Sequence, residues 1–340
     1  MSQGFAAELP LAPLGAGDLI DRAVRLYSRH LFVLIRTAAP PVIIVAAGWI
    51  LFSISIQRIF ITPDTGDLFL HFFLLGVSVV ITLTGYLFIV VVMGGATRTL
   101  VAHLLRNDPV TARATYNAVR ARFWGLVLAS LIVLVWVFAA SSVAFVGWEM
   151  LAGILMFLGI GLTAMGVPWL GGILIVIGFL VATAFAIWLF FFVVARVVYL
   201  PQVMLVEGKG VFDAVGRSFS LARGNVRRFM AMTLFTTFAT ISALMILFVV
   251  IGLIGKFAGI NPMNSTDWPA WYAIAYSILG PISSILLTPV WMLGLSLLYV
   301  DERVRHEGYD IELMAAKQLG EFPDVNVSSP LGTALHPLKG

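Results

Sequence analysis

The chain has no cysteine, and only 11% of its 340 residues are charged. The first absence excludes disulfides, thiolate catalysis and Cys-ligated zinc or iron–sulfur sites. The second excludes an ordinary soluble domain, in which about 25% of residues carry charge. Metal-ligand spacing is missing as well: His30, His71, His103, His306 and His336 are scattered, with no HExxH. No GxSxG, Walker A loop or GxGxxG occurs, so no cofactor is expected. Polar runs are few, and the longest interruption between apolar blocks is 196–228. What remains is apolar: 60% of residues are hydrophobic and the mean hydropathy is +1.01. The fold class implied is all-α, a polytopic integral membrane bundle of six transmembrane helices with interfacial amphipathic helices.

Apolar blocks place spans near 31–56, 69–97, 123–147, 169–195, 229–255 and 270–300, within one membrane domain over 17–312. Residues 1–16 lack apolar periodicity and are expected to be mobile, and 313–340 forms a polar tail. The first apolar run exceeds the 7–15 residues of a signal-peptide core, so it is expected to be a retained span. Between Phe123 and Ala195 the only ionisable residue is Glu149. Arg-rich flanks on both sides demand an even number of crossings there. The stretch 151–167 is then left over, and it is expected to form a re-entrant or interfacial helix. Glu149 falls at the outer end of the third span on this reading, leaving no charge at mid-membrane.

Eighteen of the 21 Lys and Arg residues then lie on one side and two, Arg58 and Lys256, on the other. The positive-inside rule puts both termini in the cytoplasm. Basic residues flank spans, which suits anionic membrane lipid as a partner and argues against nucleic acid.

Amphipathic segments precede the first, third and fifth spans, at 18–30, 109–122 and 211–223. Each starts a unit of surface helix, span, outer loop and span, a weak repeat of three. In the first, Asp18/Arg22 and Asp21/Arg25 have the spacing of helical ion pairs. In the third, Gly224 and Asn225 supply a helix stop. Gly178, Ala182 and Ala186 recur every four residues on the fourth span, a face for close helix approach or for an oligomer. Thr233, Thr237 and Thr240 form a hydroxyl stripe on the fifth span, open to a transport path or to ordinary backbone bonding.

Two polar clusters carry the candidate site. One holds Arg217, Ser218, Arg223, Asn225, Arg227 and Arg228; the other, 301–312, holds Asp301, Arg303, Glu307 and Asp310. Arginines at a membrane face suit lipid phosphate, and the two clusters suit ion pairing across the fifth and sixth spans, with Arg217 or Arg223 meeting Asp301, Glu307 or Asp310. The segments read EGKGVFDAVGRSFSLARGN from Glu207 and YVDERVRHEGYDIE from Tyr299. They resemble the hallmark patterns of the glycerophosphoryl diester phosphodiesterase membrane-domain family, although Glu302 and His306 stand where an apolar and a basic residue are more usual. The resemblance implies that the whole six-span body is covered. Members with the enzymatic name also carry a soluble phosphodiesterase barrel, and this sequence has no such segment, so the resemblance transfers no activity. The leading expectation is a non-enzymatic, lipid-interacting scaffold or accessory module of the bacterial inner membrane. A permease or lipid transporter, and a membrane enzyme acting on glycerophosphodiesters or head groups, stay open as alternatives.

Overall fold

The computed structural model describes residues 15–61, 67–106, 109–224, 226–261 and 268–307. The expected mobile start before residue 15 and the tail from 313 onward lie outside them, as do Asn225 and Asp310. Every regular element among the described residues is helical, and six helices are long and apolar enough to cross a membrane. The chain is a multi-pass membrane protein. Its long helices are α2 (Leu31–Ile56, extended by a π-helical turn to Ile61), α3 (Leu68–Arg106), α5 (Phe123–Ala164), α6 (Pro168–Val194), α9 (Val226–Phe257) and α10 (Ala270–Glu307). The amphipathic segments are helices α1 (Ala16–Arg29), α4 (Ala112–Ala121) and α8 (Val211–Leu221), and a short α7 (Leu200–Val206) follows α6.

Three hairpins result, α2/α3, α5/α6 and α9/α10, and the amphipathic helices dock in a cyclic order: α4 on α2 and α3, α1 on α9 and α10, and α8 chiefly on α7, which follows the α5/α6 hairpin, with smaller contacts to α5 and α10. The register repeats. The first two buried positions fall four and eight residues after the N-cap in all three: Leu19 and Ala23 after Gly15, Thr115 and Val119 after Thr111, Ala214 and Ser218 after Gly210. The docking chemistry repeats as well. In each case a hydroxyl of the amphipathic helix donates to a main-chain carbonyl at or near a helix break. Pro41 has no N–H to give the Thr37 carbonyl, and Tyr116 Oη donates to it at 2.8 Å. Ser218 Oγ donates at 2.9 Å to the Arg196 carbonyl, just past the end of α6. Tyr27 Oη donates at 2.6 Å to the Leu286 carbonyl, three residues before Pro289. The ion pairs expected along α1 take another form: Asp18 accepts from the Gly15 N–H, and Arg25 Nε donates to the Asp21 main-chain oxygen.

The expectation for 151–167 needs correction. Residues 151–164 are the continuation of α5, a helix of 42 residues and so about 63 Å long at 1.5 Å per residue. Its partner fixes which part belongs to the hairpin. Trp136 Nε1 donates to the Val193 carbonyl, Trp148 Nε1 to Thr183 Oγ1, and at the far end Gly159 and Gly171 approach so closely that a Cβ on either would collide with the other's carbonyl oxygen. Residues 136–164 of α5 therefore pair with all 27 residues of α6, about 40 Å, the thickness of a bilayer with its head-group regions. Residues 123–135 belong instead to the base: Phe123 stacks on Phe88, and Leu126 and Ala129 are fully buried. Continuous hydropathy hid this division. Glu149 lies within the part of α5 that pairs with α6, about 20 Å along the helix from Trp136 and about 22 Å from Ala164.

The small-residue face of α6 is used inside the chain. Gly178 packs on Leu155 of α5 and Ala182 is fully buried. The hydroxyl stripe on α9 divides: Thr240 bonds the Thr236 carbonyl, Thr237 is exposed, and Thr233 buries its hydroxyl.

Candidate functional site

The segment 197–207 is the most continuously buried stretch of the described chain, although Arg196 and Arg217 bracket it. Its residues VVYLPQVMLV fill the base between the hairpins and end at Glu207, the C-cap of α7. Gly208 follows with φ of +70°, a left-handed turn that an L side chain adopts only with strain. A helix ending inside protein needs partners for its last carbonyls. Arg98 Nη1 donates to the Leu205 carbonyl at 2.6 Å and Arg122 Nη1 to the Gly208 carbonyl at 2.6 Å. These two arginines, which mark sidedness in the sequence, act as the cap of α7.

Glu207 is the centre of the site. Its carboxylate accepts from Arg217 Nε at 3.1 and 3.3 Å, from Tyr299 Oη at 3.0 Å and from Lys209 Nζ at 3.1 Å, with Arg303 Nε at 4.0 Å. Tyr299 and Arg303, four residues apart on α10, face it together, and Arg303 is 1% exposed. Burial alone would push the Glu207 carboxyl up; Arg303, then Arg217 and Lys209, outweigh it and hold the group below the ordinary glutamate range. A second knot lies alongside. Arg228, at the start of α9, pairs with both Asp301 and Glu302, while Arg305 reaches Asp301 at 2.8 Å and His306 reaches Glu302 at 3.4 Å.

Of the expected site residues, Arg217, Ser218, Asp301 and Arg303 are drawn into this base. Arg223 and Arg227 stay exposed on its rim. Glu307 ends α10, and its side chain lies outside the description, as do Asn225 and Asp310. The two clusters do meet, but Arg228 is the link to Asp301, and Arg217 turns to Glu207. Glu207, Tyr299, Glu302 and Lys209 were missed as site residues. Glu207 had a usable signal, a lone carboxylate after ten residues that are apolar but for Gln202, because such a group is buried only with a partner.

Chemically the arrangement is a clamp. The donors around Glu207 saturate its oxygens, leaving neither a free base nor an open nucleophile. Among the described residues no group of three or more His, Asp or Glu could hold a metal ion. An enclosed space of about 20 Å³ beside His30, Thr37, Thr99 and Thr115 has room for one water. A larger open cleft of about 540 Å³ lies between α1 and α9, away from the clamp, with Ile20, Val24 and Phe235 as walls and Asp21 and Arg25 on its rim. No family model matches the chain, and no curated protein or solved structure matches it.

Proposed function

We propose that this is a non-enzymatic scaffold or accessory module of the bacterial inner membrane, similar to the glycerophosphoryl diester phosphodiesterase membrane-domain family, that binds anionic lipid at a basic cytoplasmic face. One contrast carries the reading. The inner arginines, Arg217, Arg228 and Arg303, are compensated by Glu207, Asp301 and Glu302. Arg223 and Arg227 are exposed, and no described acidic side chain lies within ion-pair distance of either. Uncompensated guanidinium groups at a membrane face attract phosphate by charge and by bidentate hydrogen bonding. The α1/α9 cleft adds an apolar wall for an acyl chain. The segments that carry the family resemblance touch one another through Glu207, Arg217, Tyr299 and Arg303. The cytoplasmic assignment of both termini rests on the eighteen-to-two distribution of basic residues.

The test is lipid retention. Protein extracted from mixed membranes should keep anionic glycerophospholipid in native mass spectra, and Arg223→Glu with Arg227→Glu should lose that preference. Retention blind to head-group charge would overturn the reading. So would hydrolysis of glycerophosphodiesters by the purified protein that disappears when residues of this chain are changed.

A further inference from the structure

Phe185, Trp188 and Phe192 recur at intervals of three and four residues near the end of α6, and so share one of its faces. Their rings form a ladder: Phe185 stacks on Trp188 with centroids 6.3 Å apart, and Trp188 stacks on Phe192 at 5.3 Å. Arg196, four residues further on, completes it, with its guanidinium carbon 5.0 Å from the centre of the Phe192 ring. A ring face orients a guanidinium without neutralising its charge. No described acidic side chain lies within ion-pair distance of Arg196. Two hydrogen bonds hold this end of α6 in place: Ser218 Oγ donates to the Arg196 carbonyl and Trp136 Nε1 to the Val193 carbonyl, both at 2.9 Å. The rings of Phe185, Trp188 and Phe192 stay 39%, 45% and 37% exposed, so the ladder is a surface strip, whereas the neighbouring Phe191 is buried against Phe229 of α9.

We propose that the ladder seats one anionic glycerophospholipid, with an acyl chain along Phe185, Trp188 and Phe192 and its phosphate on Arg196. The head-group class rests on the reading given above; the place and the contacting residues do not. Two properties select this occupant. The strip is apolar along its length and positive at one end, which complements an amphiphile with an anionic head, and the planar guanidinium suits phosphate oxygens by bidentate hydrogen bonding. From Phe185 to Arg196 the strip is about 16 Å long at 1.5 Å per residue, close to half of a hydrocarbon core of about 30 Å and so to the reach of an acyl chain in one leaflet. The Phe191–Phe229 contact also brings the end of α6 to the start of α9, which carries Arg227.

The test places the full-length protein in vesicles of phosphatidylcholine and phosphatidylglycerol, with one lipid at a time brominated on its acyl chains. Among the nine tryptophans, the fluorescence that Trp188→Phe removes reports on the ladder, and the substitution keeps a stacking ring. Brominated phosphatidylglycerol should quench that component more strongly than brominated phosphatidylcholine at the same mole fraction. Arg196→Gln should weaken the preference about 10-fold, the effect of losing one charge-assisted hydrogen bond, and it leaves untouched the main-chain carbonyl that Ser218 holds. Arg196→Lys, which keeps the charge, should restore part of it. Equal quenching by the two lipids would mean bulk lipid only and would overturn the proposal, as would a preference indifferent to Arg196→Gln. The two readings fail separately. Phosphatidylglycerol retained in native mass spectra with head-group-blind quenching at Trp188 would sink the ladder alone. Selective quenching at Trp188 that survives Arg223→Glu with Arg227→Glu, together with unchanged retention, would sink the role of Arg223 and Arg227 and support the ladder.

Discussion

The base of the molecule and the outer parts of its three hairpins solve different packing problems with nearly the same amino acids. In the base, large side chains face inward: Tyr199, Leu200, Leu205, Leu298 and Tyr299 are all within 1% of full burial, and the charges of Glu207 and Arg303 are enclosed with them. In the hairpins the order inverts. Phe238, Ile246, Val249 and Phe257 on α9 are more than half exposed, and contact between helices is made by Gly159, Gly171, Gly178 and Ala182. Lipid is as apolar as leucine, so burying a large aliphatic group between spans gains little, and small residues that admit a neighbouring backbone decide the contact. The base closes through mutual pairing and a buried polar network.

If that contrast holds, the largest loss should come from unpairing the base. Glu207→Gln leaves Arg303, Arg217 and Lys209 without their anion and should cost about 3–5 kcal/mol, read as a lower unfolding temperature in detergent. Val249→Ala, on the exposed face of α9, should move that temperature far less, and equal losses would erase the distinction between the two regions. The same carboxylate should be visible in acid. Its folded-state pKa is depressed, so its contribution is complete above the ordinary glutamate value of about 4.3 and is lost as pH falls through the folded value. Melting temperature should therefore drop on acidification in the parent protein, with a shallower drop in Glu207→Gln.

A smaller effect is expected at the turn that ends α7. Gly208→Ala should cost about 1–2 kcal/mol, because a Cβ is forced into left-handed backbone. The cyclic docking can be sharpened one hydroxyl at a time: Tyr116→Phe, Ser218→Ala and Tyr27→Phe should each cost about 1 kcal/mol by removing a hydrogen bond to a carbonyl at or near a helix break. Comparable losses in all three would support equivalence of the units. The least is expected at the rim, where Arg223→Ala should change stability by under about 0.5 kcal/mol while altering lipid retention.

Much of the architecture was legible in the chain. The first span, 31–56, matches α2, and the three amphipathic segments fall on α1, α4 and α8, because a polar face against an apolar one has a helical period that no neighbour needs to supply. The third surface helix ends at Leu221, and Gly224, expected as part of its stop, follows with φ of +83°. The candidate site was half legible. Arg217, Ser218, Arg228, Asp301 and Arg303 were found by charge and spacing, whereas Glu207, and the pairing of Arg228 with Asp301 and Glu302, needed to be seen in space, since each bridges elements far apart in sequence. The register of α5 was not legible, because 123–164 is apolar but for Glu149 and a few hydroxyls, and only the antiparallel α6 shows where the hairpin begins.

Composition and local period by themselves determined that this chain is helical, that it belongs in a membrane, that its helices number six of spanning length, and that surface helices punctuate them. These follow from one-dimensional quantities, the length of an apolar run and the phase of its polar residues. The tertiary structure alone decided that 197–207 is core despite its arginine brackets, that Arg228 joins two clusters through Asp301 and Glu302, and that α5 runs unbroken through 151–164. Each depends on which helix lies beside which. In an apolar solvent hydrophobicity does not rank the possible partners, so pairing is settled by small residues, stranded carbonyls and buried charges acting across long separations in sequence.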